Sequence, residues 1–264
     1  MLAPRALRCL LGPGLAVALV ANAPAAAAAE WRPHVHEAVV YAQHRKGQIR
    51  FAVRTEHRLW GYRRSEGVHA LSVVKALLLV AYLDDPRVRS RRLRAADHRL
   101  IDPMIRRSDN AAATRVLEYV GAERVRATAR RVGMRRFLLV PEVWGASRID
   151  ASDQTRFFLH FEAHVVARHR ATALRLLRTV VPSQRWGVAR VRPDGWRLYF
   201  KGGWGDGTDL IEHQVALLRS GAYRVAVAVL TSANPDHAYG EQTLRGVFTR
   251  LLRGLDARPV LTPT

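Results

Sequence analysis

The segment at residues 72–83 constrains the fold more than any other part of the chain. It reads S-V-V-K-A-L-L-L-V-A-Y-L and stops at Asp84, Asp85 and Pro86. A helix that is apolar all round offers no face to water, so it lies inside a domain rather than on its surface. The two acids and the proline are typical of a helix end. We therefore predict a central helix enclosed by the rest of the chain.

Strand patterns lie near both ends of the chain, and helical patterns lie between them. Alternating apolar and polar residues, and short β-rich segments bounded by Gly, Asp or Ser, predict strands at 48–54, 59–62, 196–200, 210–218 and 223–231. Further helices are predicted at 33–43, 111–120, 122–132, 151–167, 171–180 and 237–255. This order predicts an α/β protein of the α+β type. Its antiparallel sheet of about five strands comes from both chain ends, is flanked by helices, and is interrupted by an inserted helical region.

The first residues are typical of an export signal. Arg5 and Arg8 supply a positive start, residues 10–20 an apolar stretch, and residues 25–29 the small side chains of a cleavage site. The apolar stretch is short for a membrane span, and retention as an anchor is the alternative. We expect a signal peptide at 1–29, one domain at 30–264, and a secreted or extracytoplasmic product. Cys9, the only cysteine, lies in the signal, so no disulfide or thiol chemistry is expected after cleavage.

Charge narrows the set of partners. The chain has 43 Lys and Arg against 22 Asp and Glu, a formal net charge of +21, and its only lysines are Lys46, Lys75 and Lys201. Such an excess favours anionic partners, for which cell-envelope polymers are the candidates. Nucleic acid is not expected, because the arginines are spread over nearly every segment without a binding module. His213 and His237 lack metal-ligand spacing, so no metal is expected. We also expect no cofactor and a monomeric protein.

Ser72 and Lys75 form the first candidate catalytic pair. Three residues apart, they share one face of a helix. A serine hydroxyl becomes a good nucleophile when a base takes its proton, and lysine serves as that base when apolar surroundings keep it neutral. The chain uses arginine nearly everywhere yet has lysine here, and arginine cannot be deprotonated. Taken by itself, the pair is also typical of an N-cap serine followed by a lysine that reaches solvent.

Two further short motifs lie downstream. The triplet S-D-N at 108–110 precedes a predicted helix, where these residue types also serve as ordinary N-caps. The run K-G-G-W at 201–204 ends a predicted strand, where glycines also serve as ordinary turn residues. Two of the three lysines of the chain thus fall within the three short motifs.

In this order, with a helical region between them, S-x-x-K, S-D-N and K-G-G resemble the active-site motifs of class A β-lactamases and penicillin-binding proteins. The resemblance extends over nearly the whole chain after residue 29, since the order of strands and helices is similar as well. It implies a β-lactamase/transpeptidase-like fold and a serine hydrolase that works through an acyl-enzyme.

The resemblance also implies a role for each matching residue. Ser72 would attack the amide carbonyl, with Lys75 as base or proton relay. Ser108 would pass a proton to the leaving nitrogen. Asn110 would hold the substrate side chain, and Lys201 would help to bind a substrate carboxylate.

The third motif implies further roles and departs from the family pattern. Gly203 would leave room for substrate beside the strand edge, and the backbone N–H groups of Ser72 and Trp204 would form the oxyanion hole. Gly202 stands where the family has a threonine or serine, so a hydroxyl that helps to hold the carboxylate is absent. Thr208, from the next turn, is the candidate substitute, and the bulk of Trp204 would narrow the mouth of the site.

The second departure from the family pattern concerns the residue that activates water for hydrolysis of the acyl-enzyme. Class A β-lactamases hydrolyse the acyl-enzyme with a glutamate in an E-x-x-L-N pattern, and residues 134–150 lack it. Glu142 is the candidate general base there, and an ordinary exposed loop acid is the alternative. We therefore expect a hydrolase that acts on a small-molecule or peptide amide of the β-lactam or D-alanyl-peptide class. It is a peptidase or penicillin-binding enzyme that deacylates slowly, or a related hydrolase of unknown substrate. The other hypothesis is a non-catalytic protein of the same fold that docks on anionic envelope polymers.

Overall fold

The computed structural model describes residues 31–206 and 209–255, and a five-stranded antiparallel sheet lies at its centre. The strands in chain order are β1 (Gln48–Arg54), β2 (Leu59–Tyr62), β3 (Val68–His69), β4 (Arg148–Ile149), β5 (Arg197–Gly205), β6 (Ile211–Ser220) and β7 (Tyr223–Ser232). The sheet has the order β2-β1-β7-β6-β5, and β3 pairs with β4 separately. The prediction of one antiparallel sheet built from both chain ends is confirmed, since Phe51 of β1 lies opposite Val229 of β7. The predicted signal peptide and Thr208 lie outside the described residues.

Helices cover both faces of this sheet. They are α1 (Val35–Gln43), α2 (Lys75–Leu83), α3 (Pro86–Arg89), α4 (Ala95–Arg106), α5 (Asn110–Val120), α6 (Ala122–Arg131), α7 (Ala151–Leu159), α8 (Arg170–Arg178) and α9 (His237–Leu251). Helix α4 was not predicted, because its first turns are polar and only a narrow stripe that includes Ile101 and Met104 is buried. Helix α7 ends at Leu159, eight residues before its predicted end, and is followed by a 3₁₀ turn, Phe161–His164. Within the described part of the chain, no helix combines the length and apolarity that a membrane crossing requires.

The sheet separates two hydrophobic cores, and alternate residues of each strand enter one or the other. Val215 and Leu217 of β6 face the helical region with α2, whereas Ala216 and Leu218 face α1 and α9. Every residue of α2 is buried, which confirms the prediction of a central helix. The first turn of α2 therefore lies inside the domain, beside the sheet.

Candidate active site

Ser72 lies in a 3₁₀ turn, Leu71–Val74, that leads directly into α2. The structure thus corrects the predicted α-helical start at residue 72. A 3₁₀ turn has three residues per turn, so the side chains of Ser72 and Lys75 still lie one above the other. Lys75 Nζ is 2.8 Å from Ser72 Oγ. Leu71, the residue before the serine, has φ +45°, in a region that bulky residues rarely adopt.

Lys75 is fully buried and contacts three other groups of the site. Its Nζ lies 2.7 Å from Asn110 Oδ1, 2.5 Å from the carbonyl oxygen of Ser108 and 3.3 Å from Ser108 Oγ. A neutral amine has two N–H donors and one lone pair. If the two N–H groups donate to the amide oxygen of Asn110 and the carbonyl of Ser108, the lone pair is left to accept the hydroxyl proton of Ser72.

One residue of the S-D-N triplet caps a helix, and the other two contact the lysine of the site. Asp109 is the N-cap of α5, and its Oδ1 accepts from the backbone N–H of Ala112 at 2.7 Å. The capping interpretation of this triplet is therefore correct for Asp109, while Ser108 and Asn110 turn their side chains to Lys75. Ser108 has φ +60°, a strained conformation for a serine that tends to occur at functional sites.

Lys201 of β5 also contacts Ser108. Its side chain is fully buried, and its Nζ lies 2.9 Å from Ser108 Oγ and 2.6 Å from the carbonyl oxygen of Gly202. The Ser108 hydroxyl therefore lies between the amines of Lys201 and Lys75. A hydroxyl both accepts and donates a hydrogen bond, so Ser108 is placed to pass a proton between neighbouring groups.

Burial lowers the pKa of both lysines. Desolvation lowers the pKa of Lys75 to about 7, although the charge of Asp109 opposes the shift. Burial also lowers the pKa of Lys201, and the neighbouring Lys75 charge lowers it further. A lysine with an ordinary pKa is almost wholly protonated at neutral pH. A substantial fraction of Lys75 is therefore neutral at pH 7 and able to act as a base.

Gly203 is required at its position by the approach of the serine turn to β5. A Cβ built on Gly203 would lie 3.0 Å from the backbone nitrogens of both Ser72 and Val73, and 3.2 Å from the carbonyl oxygen of Ala70. The space beside this glycine is thus filled by the turn itself, whereas the resemblance implied room for substrate. Trp204, the next residue, has its ring centroid 5.9 Å from Lys201 Nζ.

Residues 141–146 place Trp144 rather than Glu142 against the lysine. Glu142 is exposed, and no hydrogen bond joins it to Ser72 or Lys75 in the described structure. The ring centroid of Trp144 lies 4.8 Å from Lys75 Nζ, and its Nε1–H donates to Thr114 Oγ1 at 3.1 Å. Sequence reasoning missed Trp144, which carries no motif; its position depends on the fold of the loop.

His213 of β6 fixes the segment that precedes the serine turn. Its Nε2 lies 2.9 Å from the carbonyl oxygen of His69, and its Nδ1 lies 2.8 Å from the carbonyl oxygen of Glu212 and 3.1 Å from the backbone nitrogen of Thr231. Burial lowers the pKa of His213 to about 4, which keeps the ring neutral, as a residue buried in the sheet requires. No group of three or more His, Cys, Asp or Glu among residues 31–206 and 209–255 is arranged to hold a metal ion.

One family of known proteins matches the sequence of the chain. The sequence model of the "Beta-lactamase enzyme family" matches residues 92–252, more than half of the chain, which include the second and third motifs. No curated protein matches the sequence.

Solved structures show the same fold. A β-lactamase from Sphaerobacter thermophilus DSM 20745 superposes with a TM-score of 0.74 at 21% identity, covering 85% of this chain and 98% of that one. A β-lactamase from Desulfarculus baarsii DSM 2075 gives 0.69 at 19% identity, covering 84% and 97%. One from Xanthomonas campestris pv. campestris ATCC 33913 gives 0.69 at 14% identity, covering 83% and 95%. At these identities the likeness concerns the fold.

Proposed function

The chain belongs to the β-lactamase enzyme family, and we propose that it is a secreted serine hydrolase that forms an acyl-enzyme with amides of the β-lactam or D-alanyl-peptide class. The observation that carries this proposal is the buried contact of Ser72 Oγ with Lys75 Nζ at 2.8 Å. A lysine whose amine is buried against a serine hydroxyl is the arrangement that activates a serine nucleophile.

The contacts support a sequence of proton transfers. As Ser72 Oγ bonds to the amide carbonyl carbon, its proton passes to the lone pair of Lys75. The carbonyl oxygen becomes an oxyanion, for which the backbone N–H groups of Ser72 and Trp204 are the donors proposed. When the C–N bond breaks, the leaving nitrogen takes the hydroxyl proton of Ser108. Ser108 then recovers a proton from Lys75, which restores the neutral amine and leaves Ser72 acylated.

Slow hydrolysis of the acyl-enzyme is part of the proposal. Hydrolysis requires a base that activates a water beside the ester. The exposed side chain of Glu142 and the ring of Trp144 over Lys75 Nζ both favour slow deacylation. The enzyme then resembles a penicillin-binding protein in its kinetics more than an efficient β-lactamase.

The decisive test is the intact mass of the mature protein after incubation with a reactive penicillin. We expect a mass increase of one drug molecule, and peptide mapping should place it on Ser72. Loss of the free drug is followed in parallel, to separate a stable adduct from rapid turnover. If the protein gains no mass and the drug is not consumed, the proposed activity on β-lactams is wrong.

Substitution of Glu142 by Gln is expected to leave the lifetime of the adduct unchanged within about two-fold. Removing a true general base costs about a hundred-fold or more, whereas an exposed acid without contact to the serine costs little. The measurement is the rate at which the adduct mass disappears after excess drug is removed. Adduct that persists far longer in the variant would identify Glu142 as the base that activates water.

A further inference from the structure

A cavity lies at the end of β5, where Trp204 and Gly205 form part of its lining. Its volume is about 570 Å³. Its described lining consists mainly of two tryptophans, three acids and a histidine, namely Trp186, Trp204, Asp206, Glu212, Glu241 and His237. The mechanism proposed above assigns no role to these acids.

The charge of this cavity is opposite to that of the chain. The protein has a formal net charge of +21, yet the described lining holds three carboxylates and neither lysine nor arginine. His237 is bonded to Glu212 and Asp206, and both bonds raise its pKa. Even with this histidine protonated, the lining is negatively charged. An acidic cavity in a protein with so many arginines favours a cationic ligand and repels a carboxylate.

Glu212 is the residue that points to a ligand. It is 1% exposed, and its Oε1 lies 2.5 Å from His237 Nδ1. The other oxygen, Oε2, is buried and has no hydrogen-bond partner among the described residues. Burial raises the pKa of Glu212 to about 7, because the charged form lacks solvation. A buried carboxylate oxygen without a donor is costly, and a bound N–H donor removes that cost.

The walls of the cavity suit the same kind of ligand. Trp186 and Trp204 meet edge to face, with ring centroids 6.5 Å apart. The faces of indole rings attract ammonium and guanidinium groups. Glu212 lies directly opposite Trp204 in the β5–β6 register, and both residues line the cavity.

We infer that this cavity is a subsite for a cationic group, a primary ammonium or a guanidinium, of the amide substrate. The inference rests on the proposed function, because Trp204 connects the cavity to the site. Its backbone N–H is the proposed oxyanion donor, and it follows Gly203, which touches the serine turn. The substrate would thus be an amide with a cationic side group, in contrast to an amide recognised only by its carboxylate.

Binding of small probes tests the subsite without any need for turnover. Calorimetric titration at about pH 8, where Glu212 is mainly ionised, compares hexylammonium with 1-hexanol and hexanoate. Hexylammonium should bind about ten-fold or more tightly than hexanol, as expected for a hydrogen bond to a charged group. Glu212→Gln should remove this preference, and Asp206→Asn, whose side chain is 84% exposed and so is not required for folding, should weaken it. Glu118→Gln, an equal change of charge on the exposed face of α5, is the matched control.

The rate of acylation by penicillin gives a second test, in which Glu212→Gln is expected to raise the measured quantity rather than lower it. A penicillin carries a carboxylate, so Glu212→Gln should accelerate its reaction with Ser72 while it weakens the binding of hexylammonium; a merely structural defect would lower both. Hexylammonium should also slow acylation of the wild-type protein. Any one of three results would overturn the subsite. Hexylammonium and hexanol bind equally, both acid variants leave hexylammonium binding unaffected, or hexylammonium binds without slowing acylation. If penicillin labels no variant yet hexylammonium binds selectively, the proposed β-lactam activity fails and the cationic preference stands.

Discussion

Replacement of Ser72 by alanine is expected to abolish covalent labelling by a penicillin, with a fall in rate of about a million-fold. The substitution removes only the oxygen that bonds to the substrate carbonyl. Its partner, Lys75 Nζ, keeps its contacts with Ser108 and Asn110. The variant should therefore fold as the wild type does, and its thermal unfolding should be similar.

The measurement is intact mass over time, beside wild type and Ser90→Ala. Ser90 is exposed at the end of α3, so the control makes the same chemical change outside the site. Ser108 also presents a hydroxyl to both lysines, and it is the alternative nucleophile. Labelling of Ser72→Ala at the wild-type rate, mapped to Ser108, would show that the assignment of the two serines is wrong.

The part of the site that was predicted from sequence is the part that depends on local spacing and residue type. The apolar run at 72–83 predicted a buried helix, and a lysine in such a helix must lose solvation. The choice of lysine over arginine at residues 75 and 201 was informative because arginine is so frequent elsewhere. Both lysines are fully buried and both contact Ser108.

The remaining features depend on packing between distant segments. No local pattern shows that Leu71 and Ser108 have positive φ, because those conformations are imposed by the surrounding structure. The reason for Gly203 became visible only in the folded chain, where a Cβ at this position would lie 3.0 Å from the backbone nitrogens of Ser72 and Val73. The position of Trp144 could not be predicted for the same reason, since its contact with Lys75 joins residues far apart in sequence.

Replacement of Lys75 by arginine or methionine is the second change with a large expected effect. Arginine keeps the charge and the donors but has no usable lone pair, and methionine keeps the length without a base. Either variant should slow acylation by about a thousand-fold or more, the upper part of the range for loss of a general base. Lys46→Arg and Lys46→Met make the same changes at an exposed lysine and should leave the rate unchanged.

The pH profile separates loss of the base from loss of structure. Burial lowers the pKa of Lys75 to about 7. The neutral amine is the reactive form, so the acylation rate of the wild type should rise with pH up to about 7 and level off above it. Below that pH the rate should fall about ten-fold per unit. The methionine variant should lose this inflection, since the group that titrates is gone. Two results would assign the base to another residue: an inflection near pH 7 that persists in Lys75→Met, or an acylation rate of Lys75→Arg within ten-fold of wild type. Lys201 is then the nearest candidate, because its amine contacts the same Ser108 hydroxyl.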